Sequence, residues 1–205
     1  MNFVVLCSSR GTTFQATLDR IADGSLNAKC LGLVTDSEDR LCIKKAEAAG
    51  LPWKVARKKK GEDRADFDRR VDSAIEELMA DADVEKEDTI LAEMGWLWIH
   101  SRWFVEQWPG KILNVHPALL PMYGGEGMYG DHVHQAVLEG RESQSGITIH
   151  IVDHGVDTGP IVEQKICTIE SDETVETLKD KVQALEKEWY PKTLEKIHTG
   201  ELKLS

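Results

Sequence analysis

Short apolar runs alternate with amphipathic stretches along most of the chain. Predicted strands lie at 3–7, 30–35, 53–56, 89–92 and 111–115, and predicted helices at 13–22, 41–49, 64–79 and 101–107. Such alternation is typical of βαβ units. The pattern therefore predicts an α/β fold with a mainly parallel, twisted sheet flanked by helices.

Two segments in the second half of the chain have a clear period. Residues 146–152 alternate apolar and polar positions, which predicts a strand with three isoleucines on one face. In residues 174–190 apolar side chains recur at helical spacing, which predicts an amphipathic helix packed on the sheet. The core positions of this helix are Leu178, Val182, Leu185 and Trp189.

The composition fits one domain spanning residues 1–205. A chain of 205 residues, 41% of them hydrophobic, can bury one sizeable core. The net charge of -11 argues against binding to duplex nucleic acid, which depends on neutralising phosphates. A basic run at 57–60 is the local exception, and both a solvated loop of mixed charge and a docking patch fit it.

The start of the chain and its cysteines bear on where the protein resides. Residues 3–6 form an apolar run with no basic stretch before it, which predicts a first strand and not a signal peptide. No apolar run approaches the roughly 20 residues that a membrane span needs. The 4 cysteines have no C-x-x-C spacing. We expect a soluble cytoplasmic protein with reduced thiols and no membrane partner.

Two polar side chains end the apolar strand at 111–115. Successive side chains of a strand alternate between faces, so Asn114 and His116 share a face and are neighbours. Pro117 disfavours helical backbone at His116, and the chain must then turn. Open α/β sheets usually bind ligands at the carboxyl ends of their strands. An amide and an imidazole at this position predict a functional site.

Residues 8–15 join the first predicted strand to the first predicted helix. Thr12 and Gln15 fit a capping box in which Thr12 is the N-cap. Free N–H groups and the helix dipole at such a start suit a phosphate, although a plain helix cap explains the same residues. The segment lacks the lysine of a Walker loop and the glycine pattern of dinucleotide sites.

Two further loops are candidates because of their place in the chain. Acidic and glycine residues at 153–160 follow the strand at 146–152, and by themselves they fit an ordinary turn. If that strand lies near His116, one carboxylate can orient the imidazole or exchange protons with it. The glycines of 123–130 fit either a mobile lid or a surface turn.

A metal site has little support, because the histidine spacing matches no known ligand motif. We therefore expect no required metal. The side chains considered for such a site are His132, His134, His150, His154 and Asp153.

Three segments, 114–121, 146–150 and 156–160, resemble the phosphoribosylglycinamide formyltransferases within the wider 10-formyltetrahydrofolate-dependent formyltransferases. The resemblance extends over nearly the whole chain. It implies the Rossmann-like formyltransferase fold and a role in de novo purine biosynthesis. It also implies a catalytic trio, which here is Asn114, His116 and Asp157.

The resemblance further implies sites for two small molecules. Residues 9–13 stand where the family has a glycine-rich phosphate loop, with Arg10 as an additional cation. Residues 91–100 resemble its folate-pocket strand and turn. The implied phosphate and ribose contacts are Gly11, Thr12, Thr13, Gln183 and Glu186. The implied contacts of 10-formyltetrahydrofolate are Leu97, Trp98, Ile99, His100, Val152, Asp153 and Asp157.

The implied reaction transfers a formyl group from 10-formyltetrahydrofolate to the amine of glycinamide ribonucleotide. In this hypothesis Asn114 and the His116 imidazolium stabilise the oxyanion, while Asp157 keeps His116 charged and helps to move protons. Another amine, such as an amino sugar nucleotide, is an alternative acceptor, and a catalytically silent folate- or nucleotide-binding protein is an alternative function. No metal or nucleic acid is expected to take part, and a monomer or a homodimer fits.

Overall fold

The computed structural model describes residues 1–204. One sheet contains the strands β1 (Asn2–Leu6), β2 (Lys29–Thr35), β3 (Trp53–Val55), β4 (Thr89–Glu93), β5 (Ile112–His116), β6 (Gln144–Ile151) and β7 (Ile161–Thr168). The helices are α1 (Thr12–Ala22), α2 (Cys42–Ala48), α3 (Arg64–Asp81), α4 (Arg102–Gln107), α5 (Asp131–Glu139) and α6 (Val175–His198), with a short 3-10 turn at Lys86–Asp88.

The strand order is β3-β2-β1-β4-β5-β6-β7. Strands β1 to β5 run parallel, whereas β6 is antiparallel to β5 and β7 is antiparallel to β6. The order reverses between β1 and β4, which is where doubly wound sheets open a crevice at the carboxyl ends of their strands. The predicted α/β fold with a mainly parallel sheet is confirmed.

Two apolar cores cover the two faces of the sheet because strand side chains alternate. Val5 of β1 and Leu113 of β5 belong to the core under α1, α5 and α6, whereas Leu91 and Ile112 belong to the core under α3 and α4. The isoleucines of β6 all lie on the first of these faces, as predicted. The strand β5 therefore directs Asn114 and His116 toward the α3 and α4 side, in step with Ile112.

The predicted elements are found with ends that differ by a few residues, apart from α6, which continues well past residue 190 and contains Pro191. Helix α5 and strand β7 have no counterpart in the prediction. In β7 most side chains are at least partly exposed, so its sequence lacks a strong apolar signal. Within residues 1–204, no helix is long and apolar enough to cross a bilayer.

The basic run at 57–60 takes part in local ion pairs. Arg57 contacts Glu38 at 2.9 Å, and Lys58 lies 3.7 Å from Glu62. The Lys58 ammonium also sits 5.5 Å from the centroid of the Trp98 ring. These contacts fit the solvated loop of mixed charge better than a docking patch.

Candidate functional site

A cavity of about 670 Å³ opens at the carboxyl ends of β1, β4 and β5. Its wall includes the start of α1, one face of α6 and the loops at 94–100, 125–130 and 152–157. Asn114 and His116 line the same cavity. The sheet crevice is thus where the predicted polar residues come together, as expected for an open α/β sheet.

Asn114 is oriented by a histidine of the neighbouring strand. Strand β6 runs antiparallel to β5 and places His150 directly opposite Asn114. His150 Nδ1 lies 3.0 Å from the Ile151 carbonyl, so this nitrogen carries the proton and donates. The bare Nε2 then accepts from Asn114 Nδ2 at 3.2 Å. One N–H of the amide is held by this contact, and the other is free to point into the cavity.

His116 lies between a loop carbonyl and Asp157. His116 Nε2 donates to the Tyr123 carbonyl at 2.7 Å, and Nδ1 faces Asp157 Oδ2 at 3.4 Å. The Asp157 backbone is left-handed, with φ of 57°, and the Gly125 N–H donates to Oδ2 at 3.0 Å. The loop at 152–157 and the glycine-rich loop at 123–130 therefore jointly hold this carboxylate against the imidazole.

The expected imidazolium at His116 is not the resting form that the environment favours. Burial, and to a lesser degree the nearby His150, lowers the pKa of His116 below its usual value, although Asp157 and the Tyr123 carbonyl oppose this effect. At neutral pH the ring is therefore mainly neutral, with its proton on Nε2. The unprotonated Nδ1 and the Asp157 carboxylate beside it can together accept a proton.

The phosphate loop starts its helix differently from the prediction. Gly11, and not Thr12, is the N-cap of α1, with φ of 69° and no side-chain cap. Thr12 is the first helical residue and lines the cavity, while the Gln15 side chain reaches Asp19 at 2.9 Å instead of turning back. The capping box was wrong because glycine supplies the left-handed turn by itself. The N–H groups of the first turn have no partner within the helix.

The two predicted residues of α6 do face the start of α1. Gln183 and Glu186 line the cavity, one turn apart, and Thr13 Oγ1 donates to Glu186 Oε2 at 3.3 Å. Burial raises the pKa of Glu186 to about 7, against the smaller opposing effect of the Thr13 hydrogen bond. Unbonded N–H groups, an amide and a carboxylate thus form one polar end of the cavity.

The opposite wall is apolar. Leu97, Trp98 and Ile99 are 55%, 36% and 37% exposed and surround the cavity mouth. The Trp98 indole N–H donates to Asp36 at 2.9 Å, which fixes the ring. Exposed apolar side chains grouped at a cavity are typical of a ligand-binding surface.

Three other predicted contacts of the cofactor line the same cavity but differ in what they can offer. Val152 adds apolar surface, and Asp153 is engaged in its own turn, where Thr158 Oγ1 donates to it at 2.7 Å. Both nitrogens of His100 contact carboxylates, on Asp68 at 3.0 Å and on Glu93 at 2.6 Å. The His100 ring is therefore not free to bind a ligand.

Two side chains of this site were not predicted as substrate or catalytic contacts, although one of them, His150, was considered as a metal ligand. His150 carried a signal, since it is the polar member of an alternating strand, but its partner Asn114 became clear only with the β5–β6 register. Glu93 ends β4 beside the same crevice and lines the cavity. Within residues 1–204, no group of three or more histidine, cysteine or acidic side chains is arranged so that it could hold a metal ion.

Comparison with known proteins gives a consistent result. A family model described as formyl transferase matches residues 1–194. The chain is 33% identical over 195 residues to a phosphoribosylglycinamide formyltransferase of Bacillus subtilis, covering 95% of the chain and 93% of that relative. It is 32% identical over 200 residues to the trifunctional purine biosynthetic protein adenosine-3 of Bos taurus, covering 98% of the chain but only 18% of that longer protein.

Solved structures agree with the sequence relatives. Glycinamide ribonucleotide transformylase 1 from Symbiobacterium toebii superimposes with a TM-score of 0.85 at 27% identity, covering 100% of this chain and 91% of that one. Phosphoribosylglycinamide formyltransferase from Bacillus halodurans gives a TM-score of 0.86 at 26% identity, covering 98% and 97%.

Proposed function

The chain belongs to the formyl transferase family, and we propose that it transfers a formyl group from 10-formyltetrahydrofolate to the primary amine of glycinamide ribonucleotide. The observation that carries this proposal is the position of Asn114, His116 and Asp157 between a polar and an apolar end of one cavity. Two substrates that bind at opposite ends would meet at these side chains.

The polar end suits the ribonucleotide. The first-turn N–H groups at Thr12 and Thr13, with the Gln183 amide, offer donors to a phosphate at the positive end of a helix. Glu186 offers an acceptor to ribose hydroxyls. Gly11 contributes through its backbone turn, because its N–H already lies 3.3 Å from Ser9 Oγ.

The apolar end suits the formyl donor. Leu97, Trp98 and Ile99 provide apolar and aromatic surface of the kind that binds a flat heterocycle, and Val152 extends it. Backbone N–H and C=O groups of the same loop are the kind of donor and acceptor that pairs with the polar edge of a pteridine. His100 also lines the cavity, but both of its ring nitrogens are occupied by Asp68 and Glu93, so it offers the donor no ring N–H.

In the reaction the amine nitrogen attacks the formyl carbon, and the carbonyl oxygen gains negative charge. The free N–H of Asn114 is a preorganised donor for that oxygen, because His150 holds the amide in one orientation. His116 Nε2 is a second donor once the Tyr123 carbonyl no longer occupies it. The glycine-rich loop that carries Tyr123 therefore controls how many donors the oxyanion receives.

The attacking nitrogen must lose a proton during the reaction. His116 Nδ1 and Asp157 face each other at 3.4 Å and together accept one proton, directly or through water. Collapse of the tetrahedral intermediate then breaks the bond from carbon to N10 of the folate, and the same proton can pass to that nitrogen. No other charged group needs to move.

A spectrophotometric assay for the deformylated folate tests this function with purified protein, 10-formyltetrahydrofolate and glycinamide ribonucleotide. Turnover with the ribonucleotide is expected. Turnover with an amino sugar nucleotide but none with the ribonucleotide would show that the protein is a formyltransferase with a different acceptor. Binding of the folate without turnover on any amine would point to a silent binding protein.

The same assay measures the role of Asp157. Replacing it by Asn keeps the size of the side chain but removes its charge, so we expect kcat to fall by about a hundredfold or more. Asp172→Asn is the matched control, because Asp172 lies in an exposed turn outside the cavity. Equal activity of both variants would remove Asp157 from the mechanism.

A further inference from the structure

Glu93 is a buried carboxylate placed directly beside Asn114. It is the last residue of β4, is only 5% exposed and pairs in register with Asn114 on β5. Two residues earlier, Leu91 and Ile112 pair in the same way and lie in the same core. Because side chains alternate along both strands, Glu93 and Asn114 project from the same face of the sheet. Both line the cavity.

One oxygen of Glu93 is tied down by a buried ion triad. Glu93 Oε1 accepts from His100 Nε2 at 2.6 Å, and Asp68 Oδ1 accepts from His100 Nδ1 at 3.0 Å. The second oxygen of Asp68 accepts from the Ser101 backbone N–H. Although burial opposes the charged ring, its bonds to Asp68 and Glu93 raise the pKa of His100 to about 9. Two carboxylates and one imidazolium leave the triad with an excess of one negative charge.

The other oxygen of Glu93, Oε2, has no hydrogen-bond donor in the described part of the chain to balance this negative charge. Within residues 1–204 no N–H or O–H donates to Glu93 Oε2, whereas both oxygens of Asp68 and both nitrogens of His100 have partners. The polar atoms of residues 1–204 that are fully enclosed and lack a partner do not include Oε2, so Oε2 is not completely enclosed. It therefore reaches the cavity surface next to the reacting centre.

We propose that Glu93 Oε2 binds the amino group of the acceptor substrate and aims it at the formyl carbon. This proposal rests on the proposed function and adds a specificity-determining residue to it. A carboxylate with an open oxygen at a cavity surface calls for a cation or an N–H donor. The amine of the acceptor must lie near Asn114 for the oxyanion to reach that amide, and Glu93 is the neighbouring side chain on the next strand.

The role of His100 and Asp68 in this arrangement is positional. His100 binds Glu93 Oε1 and thereby fixes the direction in which Oε2 points. Asp68 in turn fixes His100 by binding its other ring nitrogen. Asp68 is 1% exposed and does not belong to the cavity wall that the structure describes. A charge on Asp68 therefore acts on the site only through His100 and Glu93.

Isothermal titration calorimetry with the full chain tests the proposal, using glycinamide ribonucleotide and its N-formylated product as separate probes. The product carries a neutral amide where the substrate carries an amine. Glu93→Gln keeps an acceptor for His100 but removes the charge. We expect it to weaken binding of the amine by about tenfold or more, and of the product by no more than about twofold. Product binding also shows that the variant is folded.

Glu176→Gln is the matched control, because it makes the same chemical change at an exposed residue of α6 that does not line the cavity. Its affinity for both probes is expected to stay within about twofold of wild type. An equal loss for both probes in Glu93→Gln, an unchanged affinity for the amine, or the same selective loss in Glu176→Gln overturns the proposal. If the wild-type chain binds neither ribonucleotide, the proposed function fails, and this inference fails with it.

Discussion

A single ring decides the orientation of the Asn114 amide. His150 keeps its proton on Nδ1 for the Ile151 carbonyl, so Nε2 is available only as an acceptor. An acceptor at this position selects the amide orientation that directs Nδ2 toward His150, at 3.2 Å. His150 is therefore a positioning residue for Asn114, and its Nε2 also lies 3.6 Å from Asp157 Oδ1.

Replacing His150 by Phe removes the acceptor and frees the amide to rotate. We expect kcat to fall by about tenfold to a hundredfold while KM for both substrates changes little, since the lost interaction acts on the oxyanion. His150→Gln retains an acceptor for Asn114 and is expected to recover part of the rate in the same steady-state assay. If Phe and Gln have the same effect, the acceptor is not what matters at this position.

At the scale of elements, helix α6 serves both the core and the site. Its inner face carries Leu178, Val182 and Leu194 into the core, and its middle turns present Gln183 and Glu186 to the cavity. Tyr190, which is fully buried, donates its hydroxyl to the Leu113 carbonyl at 2.7 Å. That bond fastens the helix to β5 one residue before Asn114.

Tyr190→Phe leaves the Leu113 carbonyl without this donor while keeping nearly the same volume. We expect the free energy of unfolding to fall by about 1–3 kcal/mol, the usual cost of an unsatisfied buried group. Urea unfolding followed by far-UV circular dichroism measures this loss. Tyr129→Phe is the control, because Tyr129 is 62% exposed and its change should stay within roughly 0.5 kcal/mol. A similar loss in both variants would contradict this role for the hydroxyl.

For the whole molecule, the Asp68, His100 and Glu93 triad links α3, β4 and the loop that forms the apolar wall. His100 has its pKa raised from 6.5 to about 9 in the folded protein. The folded state therefore holds a proton that the unfolded state releases between these values. The resulting stabilisation is complete below about pH 6.5 and is lost as the pH rises through 9.

The difference in unfolding free energy between wild type and Asp68→Asn, called the gap here, is expected to depend on whether His100 is protonated. It should be largest near pH 6 and narrow by on the order of 1–2 kcal/mol by pH 10, because Asp68 stabilises the charged ring more than the neutral one. Urea titrations at several pH values measure the gap. His132→Gln changes an exposed histidine, and its difference from wild type should not narrow in this way between pH 6 and pH 10. A constant gap for Asp68→Asn would mean that His100 does not carry the proton.

The sequence by itself determined the parts of this protein that depend on short-range pattern. Alternation and helical spacing predicted the parallel sheet and most helices, because burying one face imposes a period on the residues of each element. Asn114 and His116 were recognisable as a pair for the same reason, since their common face follows from one strand. The capping box at Thr12 failed because a local motif competed with the left-handed turn that Gly11 allows.

Only the tertiary structure decided which side chains meet across strands and what charge they carry. The opposition of His150 and Asn114 depends on an antiparallel register, and the neighbouring place of Glu93 depends on the order in which β4 joins β5. The neutral form of His116 follows from burial by segments distant in the chain. These features arise from contacts between residues far apart in sequence and from the loss of water around them, which no local pattern of residues encodes.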